Sequence, residues 1–87
     1  MNFLQKLDII NLSDGNSYTV AEMTNEKNID YLMLVQNDEN GNLTEKYKFA
    51  KIIVMPTRKY GIETIENKEE KNKLAQIFLP LFKEDYQ

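Results

Sequence analysis

Residues 29–55 read IDYLMLVQNDENGNLTEKYKFAKIIVM, and this stretch decides the fold. Two apolar runs, one from Tyr31 to Val35 and one from Phe49 to Met55, flank the polar segment Glu39-Asn40-Gly41-Asn42. An Asn-Gly pair supplies the positive φ angles that tight hairpin turns require. Both runs are apolar at nearly every position. Half-buried strands alternate; strands without alternation are central and covered on both faces. The spacing predicts an antiparallel hairpin at the middle of a sheet. The second strand is long, with Lys51 interrupting its apolar face, so a bend or bulge is expected near Lys51.

Working outward, Ser13-Asp14-Gly15-Asn16 repeats the turn chemistry. Tyr18 and Val20 alternate with Thr19 and Ala21 after it, the pattern of a half-buried strand. The polar gap from Thr24 to Asn28 reads as a break, and Pro56 to Gly61 as a further turn closed by Gly61. Five strands are predicted, at 6–12, 17–23, 29–36, 43–55 and 62–66. The period then changes to 3.6. Asn67 can cap a helix with Glu70 three residues on, and Leu74, Ile77, Phe78, Leu81 and Phe82 form one apolar stripe. A helix is predicted over 68–84, kinked or ended near Pro80, because an interior proline costs about 3 kcal/mol. The expected fold is α+β: one domain over 1–87, an antiparallel meander of about five strands with the amphipathic helix packed on one face.

One helix covers one face. The other face of the two central strands is expected to be hidden by curling of the first hairpin over it, or by a protein partner or second copy of the chain. Leu32, Leu34, Ile52 and Val54 are the contact residues that the partner alternative nominates.

Of the 87 residues, 41% are hydrophobic and 29% charged, the balance of a globular rather than a disordered chain. Cysteine, histidine and tryptophan are absent. Disulfides, thiol nucleophiles, Cys/His zinc sites and imidazole-based triads are thereby excluded. No apolar run approaches the roughly 20 residues of a membrane span, and Asp8 interrupts the early apolar run that a secretory signal would need. A cytoplasmic protein is expected. Residues 1–43 hold two lysines against seven acids, a net of −5, whereas 44–87 hold nine basic residues against seven acids, a net of +2. An acidic chain makes a poor general binder of phosphate backbones.

The order of elements resembles the DUF1292 family, a small bacterial domain of unknown function. Asp14-Gly15, Tyr18 to Val20, Tyr31-Leu32 with Leu34, Tyr47 with Phe49, and Ile65-Glu66 leading to Glu69-Glu70 carry the resemblance. It covers most of the chain, from about Leu7 to Phe82, through turn and core positions. It implies the same α+β fold and a bacterial cytoplasmic setting, and it assigns no catalytic residue. The chain departs from the family where Lys46, Lys48, Lys51, Arg58 and Lys59 make a stretch basic that is generally acidic in the family.

No constellation points to chemistry. Ser13 and Ser17 flank a turn and have no imidazole to activate them. Asp38-Glu39, Glu69-Glu70 and Glu84-Asp85 are adjacent acids, which diverge on a strand or a helix and form no dyad. Asp38 to Asn42 offers oxygen ligands and a glycine but not the spacing of a calcium loop. No glycine-rich phosphate cradle precedes the helix. Catalytic, metal-binding and cofactor-binding residues are therefore not expected, and neither is a small-molecule cofactor. The one basic stretch with aromatic residues comprises Lys46, Lys48, Arg58, Lys59 and Tyr60, a combination that nucleic-acid surfaces use. The leading expectation is a non-enzymatic interaction or regulatory module. The alternatives are a nucleic-acid-contacting accessory domain through that stretch, which the net charge disfavours, and a small phage or mobile-element inhibitor of a host protein.

Overall fold

The hydrophobic pattern resolves into five antiparallel strands and one helix: β1 (Ile9–Asn11), β2 (Ser17–Glu26), β3 (Ile29–Asn37), β4 (Leu43–Val54), β5 (Tyr60–Thr64) and α1 (Lys68–Tyr86). A computed structural model describes residues 4–86. The strands lie in sequence order, so the sheet is a meander and the fold is α+β.

Three of the four hairpins share one design. Gly15 N–H donates to Leu12 O, Gly41 N–H to Asp38 O and Arg58 N–H to Met55 O, each closing a three-residue loop whose last residue has positive φ. Such a loop is a turn followed by a left-handed residue, which glycine fits best. Gly15 (φ 85) and Gly41 (φ 82) meet the demand; in the third hairpin Arg58 (φ 65) takes that place. Gly61 was expected to close this turn and instead lies within β5, opposite Ile53. The remaining turn is tighter. β2 and β3 run through the polar gap and turn on Lys27 and Asn28 alone, both at positive φ, the two-residue geometry that suits twisted strands.

β2 is bulged between Val20 and Glu22, where register with β3 shifts by one residue. The β3–β4 pairing shifts between Val35 and Asn37, so β4 is irregular near its start. The expected bulge at Lys51 is absent: Lys51 pairs regularly with Tyr31 and with Glu63. Hydrogen bonds at the β3–β4 turn place the irregularity instead, with Thr44 Oγ1 donating to Gln36 O at 2.8 Å.

The helix starts as its cap predicts. Asn67 Oδ1 accepts from Glu70 N–H at 3.0 Å, and Glu69 and Glu70 occupy the first turn, favourably placed at the positive end of the dipole. It continues through Pro80 to Tyr86, so of the two expected alternatives, a kink or an end at the proline, the end is excluded. Pro80 and Gln76, whose carbonyl loses its donor, are both exposed, so water can take that bond. The buried stripe is Leu74 and Phe78, flanked by Ala75, Leu79, Phe82 and Tyr86, whereas Leu81 is exposed.

Two apolar layers result. Under α1 lie Ala21, Met33, Val35, Phe49 and Ile65, with the Phe49 and Phe78 rings stacked at 5.6 Å. On the opposite, concave face lie Tyr18, Val20, Leu32, Leu34, Ala50 and Ile52, with Leu4, Ile10, Leu12, Met23 and Ile62 packed against them. The N-terminal segment and first hairpin thus curl over the face that the helix leaves open, and Ile62 of β5 approaches from the other side.

Candidate interaction site

Curling brings the two edge strands toward one another without joining them. β1 and β5 each have one neighbour in the sheet. Between them runs an open groove of about 680 Å³ lined by Ile10 and Asn11 on one bank and by residues 58–62 on the other. It continues toward Leu12, Asp14, Lys48 and Thr64 in a further 270 Å³.

The backbone of β5 presents bonding groups to this groove. Met55 N–H donates to Lys59 O and Ile65 N–H to Phe49 O, both at 2.8 Å. Alternation between those two bonds puts Gly61 and Glu63 in the hydrogen-bonded pairs with β4 and turns N–H and C=O of Ile62 and Thr64 away from it. At the hairpin end, Val54 is 62% exposed and Met55 46%, beside Arg58, Lys59 and Tyr60. The largest apolar exposure of the hairpin therefore adjoins two cations.

The predicted basic stretch does not assemble. Lys46 lies near the start of β4 and Arg58 and Lys59 beyond its end. Eight residues of strand from Lys46 to Val54 span about 26 Å. Lys48 is engaged elsewhere: its Nζ is 2.8 Å from Asp14 Oδ2 and 5.4 Å from the centre of the Tyr18 ring. Asp14 also accepts from the Tyr18 hydroxyl at 2.7 Å. Lys48, then Tyr18, hold the Asp14 carboxyl well below the usual carboxylate range, and Asp14 in turn raises Lys48. Only Arg58, Lys59 and Tyr60 of the five residues remain together, all lining the groove.

The nominated partner contacts also need correction. Leu32 and Leu34 are fully buried and Ile52 is 7% exposed, all within the concave core of the chain itself. Curling has already covered them, so they are not surface residues in this conformation. Val54 alone of the four is exposed.

One cluster was not visible in the sequence. The bulge in β2 breaks the alternation, so Glu22 pairs with Met33 of the helix-side face and its side chain is 3% exposed. Lys6 Nζ lies 3.2 Å from Glu22 Oε1 and 2.9 Å from Asp85 Oδ2. Tyr86 donates to Ala21 O at 3.3 Å. Among the described residues Glu22 Oε2 has no hydrogen-bond partner. Burial, then the neighbouring Asp85 carboxyl, raise the Glu22 pKa, while the Lys6 ammonium holds Asp85 low. The cluster fastens the last turn of α1 to the N-terminal segment.

Among the described residues no group of three or more acids could hold a metal ion, and no helix is long and apolar enough to cross a membrane. No family model, curated protein or solved structure matches this chain.

Proposed function

We propose that the chain is a non-enzymatic interaction module that holds a partner protein in the groove between β1 and β5. The observation that carries this reading is the juxtaposition of two unjoined sheet edges with an apolar groove and two cations between them. Sheet edges are natural templates for further pairing, and an apolar surface rimmed by charge is what protein partners use. Kinship with the DUF1292 family belongs to the same proposal, through the shared order of elements. The nucleic-acid alternative draws less support: it retains Arg58 and Lys59, with Lys48 committed to Asp14 and Lys46 at the far end of β4.

Affinity capture with the full chain, compared with a Lys59→Ser/Tyr60→Ser variant of unchanged circular dichroism, tests the reading. The expected result is a partner retained by the native chain and lost by the variant. Identical captured sets would remove the groove as the binding surface.

A further inference from the structure

We propose that the groove receives an extended, acid-bearing segment of a partner protein, which adds to the outer edge of β5 as a sixth strand. This deepens the interaction-module reading and rests on it. The edge is the first support. N–H and C=O of Ile62 and Thr64 point away from β4, while both side chains line the groove. A strand paired there gains main-chain hydrogen bonds and sends alternate side chains into the same apolar groove, beside Ile10 and Ile62. β5 has five residues, so the matching segment is about five to seven residues long.

Charge selects the segment. The groove beside the hairpin is lined by Ile10, Asn11, Arg58, Lys59, Tyr60, Gly61 and Ile62: two cations and no acid. Among the described residues no ion pair engages Arg58 or Lys59. A carboxylate at the hairpin end of the incoming strand complements both.

The backbone of Arg58 is the third support. Two sister hairpins place Gly15 and Gly41 at the left-handed position, and the third places the single arginine of the chain there, at φ 65. An arginine in that conformation is strained relative to glycine, as are Leu7 and Lys27 elsewhere in the chain; Arg58 differs from them in lining the groove. The planar guanidinium donates two parallel hydrogen bonds to a carboxylate.

Peptides selected on the full chain from a random twelve-residue phage library supply the probe. The expected selection alternates apolar residues and carries Asp or Glu at one end. Binding of the synthetic peptide should slow amide hydrogen exchange at Ile62 and Thr64 by at least about tenfold, read by NMR. Arg58→Gly should raise the melting temperature and weaken the peptide by at least about tenfold, the scale of a lost charge-assisted pair. Thr64→Pro removes one outward N–H without touching the β4 ladder and should weaken it too. A peptide footprint that leaves Ile62 and Thr64 unprotected, affinity indifferent to Arg58→Gly, or no binder tighter than about 100 µM would each overturn strand addition. So would a dimer of the chain that pairs through β5 and excludes the peptide. Hairpin-dependent capture of a partner alongside unprotected amides would sink strand addition and leave the interaction module standing; loss of both would sink the module as well.

Discussion

Replacing Glu22 by glutamine should stabilise the protein at neutral pH, against the rule that buried ion pairs are costly to break. The carboxyl is almost wholly buried, Lys6 serves one oxygen, and the other oxygen has no donor while Asp85 stands nearby. A buried acceptor left unmade costs about 1–3 kcal/mol. Glutamine keeps an oxygen for Lys6 and offers an amide N–H to Asp85, so the variant should gain a share of that, about 1 kcal/mol at pH 7.5. In a domain this size that moves the melting temperature up by about 4–8 °C. The pH dependence follows in sign. Because folding raises the Glu22 pKa, its contribution is fully present below the unfolded value near 4.5 and is lost as pH rises through the folded value. Asp14 and Asp85 are depressed, so their contributions are present above about 3.8 and lost as pH falls through their folded values. The native chain should therefore be most stable on the acid side of neutrality. Glu22→Gln should flatten the alkaline limb and leave the acid limb, because a protonated Glu22 can itself donate to Asp85. Thermal melts followed at 222 nm between pH 4 and 8 read this directly. A variant less stable than the native chain at pH 7.5, or a difference that does not shrink toward pH 4.5, would show that attraction to Lys6 outweighs desolvation.

The other predictions concern packing and backbone. Phe78 is fully buried and stacks on Phe49, so Phe78→Ala should cost about 3–5 kcal/mol, a large part of the roughly 4–13 kcal/mol that 87 residues possess; chemical denaturation should show a strongly lowered midpoint. Leu7 has φ 76 and is 67% exposed, a position that burdens a leucine backbone and buries little of its side chain. Leu7→Gly should raise stability by up to about 1 kcal/mol, and a loss of more than 1 kcal/mol on the same denaturation curve would show that the side chain packs against something.

The sheet was legible where local chemistry and global burial agree. Asp14-Gly15 and Asn40-Gly41 mark turns that glycine makes cheap, and the doubly apolar run of β3 and that of β4 as far as Ile52 mark the sheet centre, whereas Ile53, Val54 and Met55 of the second run are exposed. Asn67 marks the helix start. The two-residue turn at Lys27-Asn28 contains no glycine or proline and so was hidden within a polar stretch. Glu22 was invisible for a different reason. Alternation assigns it to the face of Val20, and the bulge, a one-residue register shift that no residue type announces, moves it to the other. The basic stretch failed because neighbours in sequence along an extended strand separate by about 3.3 Å per residue. Arg58 was seen as a charge; that it occupies a glycine's backbone position became visible only beside its two sister hairpins.

The bridge from Lys6 to Asp85 joins residues 79 apart in the chain. Every hairpin here closes a short loop, whereas this bridge must wait for the whole meander and the helix to be in place. It is therefore expected to form late, outside the folding nucleus. Interactions of that kind leave the rate of folding nearly unchanged and act on the rate of opening. Lys6 and Asp85, meeting over Glu22, are therefore expected to act on how fast the native state opens rather than on how fast it forms.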